Sequence, residues 1–151
     1  MSGQIAALAL CVFRREDGAL LVAYGYDTVK EQAFYRPLGG HIEFGERAAA
    51  AARREIKEEL GAAVDGLRLL GVVENLFTFR GEPGHELVWL YDARLVDEAL
   101  YEREVIVADE GGSPFEAHWV ALEDFVAGKV PLYPDGLLEL LTSEGASQTL
   151  R

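Results

Sequence analysis

Gly40-His41-Ile42-Glu43-Phe44-Gly45-Glu46-Arg47, then Ala48 to Ala52, then Arg53-Arg54-Glu55-Ile56-Lys57-Glu58-Glu59-Leu60-Gly61-Ala62, is the stretch around which this chain is organised. The Gly39-Gly40 pair at its head is a flexible turn signal. From Glu46 to Leu60 the pattern predicts a helix. The alanines have the best helix propensity and are small enough for close packing. Gly61 supplies a C-terminal stop. No Ser, Thr, Asp or Asn stands at the start, so the N-cap is weak.

The predicted helix has two faces. Ala49, Ala52, Ile56 and Leu60 recur at helical spacing and belong against a core. Glu55, Glu58 and Glu59 are three and four positions apart, so their carboxylates share a neighbouring arc, while Arg53 and Lys57 point to water. Like charges so placed repel by about 0.2–0.5 kcal/mol per pair. Glu58 and Glu59 also face the negative end of the helix dipole, a further penalty of about 0.3–1 kcal/mol each. A Glu/Lys/Arg-rich helix is ordinarily just a solvated surface. Local rules broken without visible compensation instead mark functional sites. Clustered carboxylate oxygens suit a hard divalent cation, Mg²⁺ or Mn²⁺.

The whole stretch resembles the Nudix hydrolase signature, G-x5-E-x7-R-E-U-x-E-E-x-G-U, in which U is a bulky apolar residue. Gly40, Glu46, Arg54, Glu55, Glu58, Glu59 and Gly61 match in register, and Ile56 fills the first U. Ala62, at the last U, is smaller than the pattern asks. The spacing is specific enough to outweigh the reading as a plain surface helix.

A chain of 151 residues with 50% hydrophobic content supports one globular domain with its own core. Its net charge of −12 argues against a surface for nucleic acid polymers, which would be basic. That charge does not exclude a nucleotide, because a bound cation reverses the local field. Cys11, the single cysteine, cannot form an internal disulfide and reads as a small buried apolar side chain in a reducing compartment. The apolar run Ile5–Phe13 contains Leu8-Ala9-Leu10-Cys11, which faintly resembles a lipoprotein cleavage site. No basic residue precedes it, however, and Leu10 is too large for the cleavage position. The run is also too short to cross a bilayer. It reads as a buried strand, and the expectation is a soluble cytoplasmic protein with no membrane partner.

In chain order, Ile5–Phe13 and Ala19–Tyr24 read as strands joined by Arg14 to Gly18, whose Asp-Gly step signals a hairpin. Gly25 to Gln32 reads as a polar loop. Phe34 to Leu38 leads into the glycine pair, with Pro37 favouring an extended Arg36. Beyond the helix, Leu67–Phe79 reads as one strand or two, Gly81 to Gly84 as a turn, and His85–Val96 as the partner strand. The acidic segment 97–112 is assigned only a short strand at Val105–Val107, and Gly111 to Pro114 is a break. Phe115–Val120 reads as a strand and Leu122–Val126 as a short helix ending at Gly128. Pro131–Pro134 reads as a connector, Gly136–Leu141 as a last helix, and 143–151 as a frayed polar tail.

These elements predict an α/β chain with a mixed sheet covered by helices. The resemblance implies the Nudix fold, an α/β/α sandwich around a central mixed sheet, with the signature as a loop–helix–loop that holds metals and a diphosphate. It further implies roles residue by residue. Glu55, Glu58 and Glu59 match the metal-binding carboxylates, and one of them, or another glutamate, helps to activate water, with Glu58 and Glu59 as the catalytic candidates. Arg54 matches the arginine that holds a catalytic glutamate through an ion pair, a task suited to a bidentate guanidinium. Glu46 matches the first signature glutamate, whose role is partly structural. The backbone at Gly39 and Gly40 is expected near metal and substrate, with a Gly40 carbonyl as a metal ligand. Arg36 and His41 are candidate substrate contacts. Members of the family often place a proton acceptor beyond the signature; here the candidates are Glu110 and Glu116. Mg²⁺, or Mn²⁺, would neutralise phosphate charge and make water a nucleophile at neutral pH.

His41, His85 and His118 have no zinc-ligand spacing. Phe77, Phe79, Trp89, Tyr91 and Trp119 are candidates to stack on a base, although strand aromatics more often pack in a core. The implied activity is cleavage of a phosphoanhydride bond in a nucleoside diphosphate linked to another moiety, with nucleoside triphosphates foremost. Neither a downstream Pro, as in ADP-ribose hydrolases, nor a downstream Tyr, as in dinucleoside-polyphosphate hydrolases, is present; Phe77-Thr78-Phe79 stands there instead. The extensions of the NADH-type and coenzyme A-type members are also missing. Members of the family are often homodimers, but the sequence itself does not give the oligomeric state. Two other classes compete: an isopentenyl diphosphate isomerase, which needs a catalytic cysteine, and a nucleotide sensor that does not hydrolyse, which would have shed signature carboxylates.

Overall fold

The computed structural model describes residues 3–143. Along the chain run β1 (Ile5–Phe13), β2 (Ala19–Asp27), β3 (Gln32–Arg36), β4 (Leu38–His41), α1 (Ala48–Leu60), β5 (Val64–Phe79) and β6 (Glu82–Leu95). They are followed by a 3₁₀ turn (Glu98–Glu102), β7 (Val105–Glu110), β8 (Ser113–Ala121), α2 (Leu122–Val126) and α3 (Leu137–Thr142). The tail expected over 143–151 lies, from 144 on, outside the described residues.

The strands form two four-stranded sheets, ordered β4-β1-β6-β5 and β3-β2-β8-β7. The first is mixed, because β1 pairs parallel with β6 and antiparallel with β4. The second is antiparallel throughout. Strand alternation decides what each side of β1 meets. Ala9, Cys11 and Phe13 turn into a core shared with Ala51, Ala52 and Ile56 of α1. Leu8, Leu10 and Val12 turn the other way, against Phe125 of α2 and Leu137 and Leu141 of α3. Both faces of the strand are therefore buried, which is why its sequence is an unbroken apolar run. The result is an α/β/α sandwich. Among the described residues no helix is long and apolar enough to cross a membrane.

Several local expectations change. Gly39-Gly40 is not a turn but the middle of β4, where Leu10 faces Gly39 and Ala9 faces Gly40. The helix starts at Ala48 rather than Glu46, because Arg47 is extended and the Glu46 side chain is held elsewhere. Its end is as expected: Gly61 takes the left-handed conformation and its N–H closes on the Lys57 carbonyl. The 25–32 loop shrinks, since β2 runs on to Asp27 and β3 begins at Gln32. The Arg14–Gly18 segment does turn, with the Arg15 N–H bonded to the Ala19 carbonyl at 2.8 Å. Its strands do not form a hairpin ladder; they diverge into the two sheets. β5 is one strand with two register shifts, and its hairpin turns at Arg80-Gly81 rather than across Gly81 to Gly84. Val105–Val107 extends to Glu110.

Cys11 is fully buried, and desolvation pushes its thiol up to about 12. It is a core side chain.

Candidate active site

Arg54 is the hub of the signature stretch. Its Nε and Nη2 donate to the two oxygens of Glu46 at 2.8 and 3.0 Å. Nη1 donates to Glu55 Oε1 at 2.9 Å and to Glu58 Oε1 at 3.0 Å. Nη2 also reaches the His41 carbonyl at 3.0 Å. All five N–H donors of the guanidinium thus have acceptors. This arrangement needs the helix: Glu55 is adjacent to Arg54 and Glu58 is one turn on, so a single guanidinium reaches both. Glu46 also accepts the Glu43 N–H at 3.1 Å, closing the loop before α1. The Arg54 bonds, followed by that N–H, hold the Glu46 carboxyl down to about 2.

Glu59 differs from its neighbours. It is only 7% exposed, and Oε1 has no hydrogen-bond partner. Burial first, then the charges of Glu55 and Glu110, push its carboxyl up to about 8; the Gly39 amide and the Arg36 guanidinium pull the other way. A buried carboxylate with an orphaned oxygen needs a proton or a cation.

Gly40 abuts Glu55: a Cβ built on it would overlap the Glu55 carboxylate. At Gly39 a Cβ would strike the Ala9 carbonyl and sit 2.8 Å from Leu10 Cα, and φ is 146°. The two glycines should therefore fail differently. Gly40→Ala displaces the end of a flexible side chain and is expected to slow turnover at a stability cost within about 1 kcal/mol. Gly39→Ala meets backbone in a strained conformation and is expected to cost about 3 kcal/mol or more. Melting temperatures and initial rates of the pair check this contrast.

A cleft of ≈ 600 Å³ adjoins the site, its lining including Arg36, Gly39, Gly40, His41, Glu59 and Glu110. Strand register explains why Glu110 is there and Glu116 is not. Ile106 and Ala117 are paired and turn into the core beneath α1. Glu110 keeps the parity of Ile106 along β7 and so faces the helix that carries Glu59. Glu116, one residue before Ala117, turns to the opposite side; its side chain is 63% exposed and lies 3.5 Å from His118. The expectation for Glu116 is thereby corrected. The metal trio is also not gathered as a ready-made cage. Among the described residues no three His, Cys, Asp or Glu side chains converge on one point, because Arg54 engages Glu55 and Glu58 while Glu59 faces the cleft. The oxygen donors, the orphaned Glu59 Oε1 and the Glu55 carboxylate packed on Gly40 nonetheless fit a hard divalent cation.

Of the aromatic candidates, Phe77 and Phe79 line the cleft. Tyr91 is buried, and Trp89 packs against the core under α1. Trp119 stacks on Tyr101 at 5.2 Å, and its Nε1 donates to the Leu100 carbonyl. His85 is paired with Glu74 at 2.9 Å. Sequence reading missed Gln32, Phe34, Asn75 and Tyr133, which also line the cleft. Gln32, Phe34 and Arg36 are alternate residues of β3 and form one wall, a signal present in the sequence but hidden once Gly25 to Gln32 is taken for a loop. Tyr133 arrives from the 131–134 connector, which is bonded to β3 through Tyr35 N–H to Pro131 O and Tyr133 N–H to Tyr35 O. No local signal marks it.

A family model described as NUDIX domain matches residues 4–141. A Mycobacterium tuberculosis protein provisionally named mutator protein MutT4 is 30% identical over 106 residues, covering 70% of this chain and 43% of that protein. The chain thus spans less than half the length of this relative. Among solved structures, a MutT NUDIX hydrolase from Burkholderia pseudomallei superposes with a TM-score of 0.66 at 24% identity, covering 91% of this chain and 97% of that one. A NUDIX hydrolase from Nitrosomonas europaea gives 0.66 at 16% identity, covering 95% and 90%. These likenesses are in the fold.

Proposed function

The chain belongs to the NUDIX domain family, and on that premise we propose that it is a Mg²⁺-dependent Nudix hydrolase cleaving a phosphoanhydride bond in a nucleoside diphosphate linked to another group, with nucleoside triphosphates foremost. The observation that carries this reading is Glu59: a nearly buried carboxyl with an unpartnered oxygen, on the signature helix, opening onto a cleft that also holds Arg36 and Glu110.

In this reading Glu55, Glu58 and Glu59 hold the cation, Mg²⁺ or Mn²⁺, together with the Gly40 carbonyl. When bound, it neutralises phosphate charge and acidifies a water. Arg36 and the Gly39-Gly40 backbone hold the phosphate chain beside Glu55 and Glu59. Arg54, locked by Glu46, keeps Glu55 and Glu58 in place. Glu110, facing the Glu59 side of the cleft, accepts the proton of the attacking water. Along β3, alternate residues are about 7 Å apart. Phe34 and Gln32 therefore stand one and two such steps beyond Arg36, the reach of a nucleoside attached to the phosphates that Arg36 would hold. The buried free Cys11 accords with a cytoplasmic setting, and its place in the core removes it as the thiol an isomerase would need.

A panel of nucleoside triphosphates and nucleoside diphosphate derivatives, assayed with and without Mg²⁺ and with products identified, tests the reading. The expected result is metal-dependent release of pyrophosphate or phosphate from at least one nucleotide. Tight binding with no turnover across the panel would point to a sensor and overturn it.

A further inference from the structure

Asp27 is a buried carboxylate outside the signature, only 2% exposed, that also lines the cleft. Its Oδ1 accepts the N–H groups of Val29 at 2.9 Å and Lys30 at 3.0 Å, capping the turn between β2 and β3. Its Oδ2 accepts the N–H of Arg80 at 3.0 Å, 53 residues away in the turn between β5 and β6. These two turns belong to different sheets that share no strand ladder, so this bond is a cross-tie between sheet ends. Arg80 reinforces it, donating from Nη2 to the Tyr26 carbonyl at 3.3 Å. Three backbone donors hold the carboxyl ionised, below its ordinary range.

The tied turns carry the aromatic lining of the cleft. Phe34 sits across from Phe79 in an edge-to-face pair at 5.9 Å, one ring from each sheet. Tyr133 leans on Phe34 at 5.4 Å and donates its hydroxyl to Gln32 Oε1 at 3.2 Å. Glu31 and Arg80 are the non-glycine residues with positive φ among the described residues, at 55° and 52°, and each lies in one of the two turns. A residue with a Cβ keeps that conformation only where its surroundings impose it. The Asp27 carboxylate binds the Arg80 N–H directly and, through Val29 and Lys30, the turn that leads into Glu31.

We propose that Asp27 is a positioning residue for a ring-binding end of the cleft. By fastening the β2–β3 turn to the β5–β6 turn it sets the placement of the Phe34–Phe79 pair, against which a planar heterocycle of a nucleobase packs at the cleft wall. The inference rests on the hydrolase reading for the identity of the ligand, but it is tested without hydrolysis.

The test compares wild type with Asp27→Asn, which keeps an oxygen for Val29 and Lys30 but presents an NH₂ to the Arg80 N–H. Calorimetry in metal-free buffer measures binding of the four ribonucleoside triphosphates and of inorganic tripolyphosphate, which has the charge and no ring. The best-bound nucleotide is expected to lose affinity about tenfold, with tripolyphosphate unchanged within twofold. With a turned-over nucleotide, KM rises and kcat stays within twofold. Equal losses for nucleotide and tripolyphosphate, or an unchanged nucleotide affinity, overturn the proposal. If Asp27→Asn does not fold, amide hydrogen exchange of wild type decides. The Arg80 and Lys30 amides are expected to be protected and to gain protection together when nucleotide is added; an Arg80 amide exchanging as in an open turn overturns the tie. Failure of the hydrolase reading looks different: no nucleotide is turned over by wild type, while nucleotide binding and its dependence on Asp27 persist.

Discussion

Glu59→Gln is expected to lose turnover by about 10²–10³-fold while melting higher than wild type in metal-free buffer above pH 8. Both effects follow from the same burial. The carboxyl is nearly enclosed, Oε1 has no partner, and its folded value of about 8 lies above the ordinary 4.5. Between those two values the unfolded chain has released this proton and the folded chain has kept it. Folded protein then binds more protons than unfolded, so stability falls as pH rises through the window. The loss is complete above the folded value. Glutamine is isosteric and never charges, so the variant lacks that slope. A gain of at least about 2 °C at pH 8.5 is the expected size. Mg²⁺ should reverse the wild-type loss, because a cation replaces the proton. Its thermal shift in wild type should grow from pH 6 to pH 8 and be much smaller in the variant. Thermal melts at several pH values, with and without Mg²⁺, read the stability side, and initial rates the catalytic side. A Glu59→Gln variant with turnover within a few-fold of wild type would remove Glu59 from the metal site.

Arg54→Lys is the second large effect. A lysine has three donors on one nitrogen and cannot span Glu46, Glu55, Glu58 and the His41 carbonyl, which Arg54 engages through three nitrogens. Glu46 loses its two-point partner and the loop before α1 loses its anchor. The expected costs are about 2–3 kcal/mol in stability and at least about 10²-fold in turnover. The pH dependence has the opposite sign to that of Glu59. The Glu46 carboxyl is depressed to about 2, so its contribution is present above about 4.5 and is lost as pH falls toward 2. Wild type should therefore show an acid-side loss of stability that is shallower in Arg54→Lys. Chemical denaturation at pH 7 and pH 3 measures it. An Arg54→Lys enzyme that keeps wild-type turnover would show that the carboxylates need no such clamp.

Much of the site was legible because it is local. The spacing of Glu55, Glu58 and Glu59 on one helix, the core side formed by Ala52 and Ile56, and the stop at Gly61 all depend on a 3.6-residue period that the sequence carries in itself. The buried strand at Ile5–Phe13 was legible for a similar reason: an unbroken apolar run is what a strand covered on both faces requires. The glycine pair signals a turn in the sequence yet serves close approach in the fold, because glycine suits either use. Only the position of β4 against Ala9, and of Glu55 against Gly40, shows which use applies.

The sequence by itself determined the family, the signature helix and the carboxylates it presents, since these follow from intervals along one element. Tertiary structure alone decided that Glu110 rather than Glu116 faces Glu59, that Arg54 engages two of the three expected metal ligands, and that Asp27 meets Arg80 across 53 residues. The physical reason is register. Side chains alternate along a strand, so a shift of one residue moves a carboxylate from the cleft to the opposite face. That register is set by the packing of two sheets on shared cores, which no interval within the chain encodes.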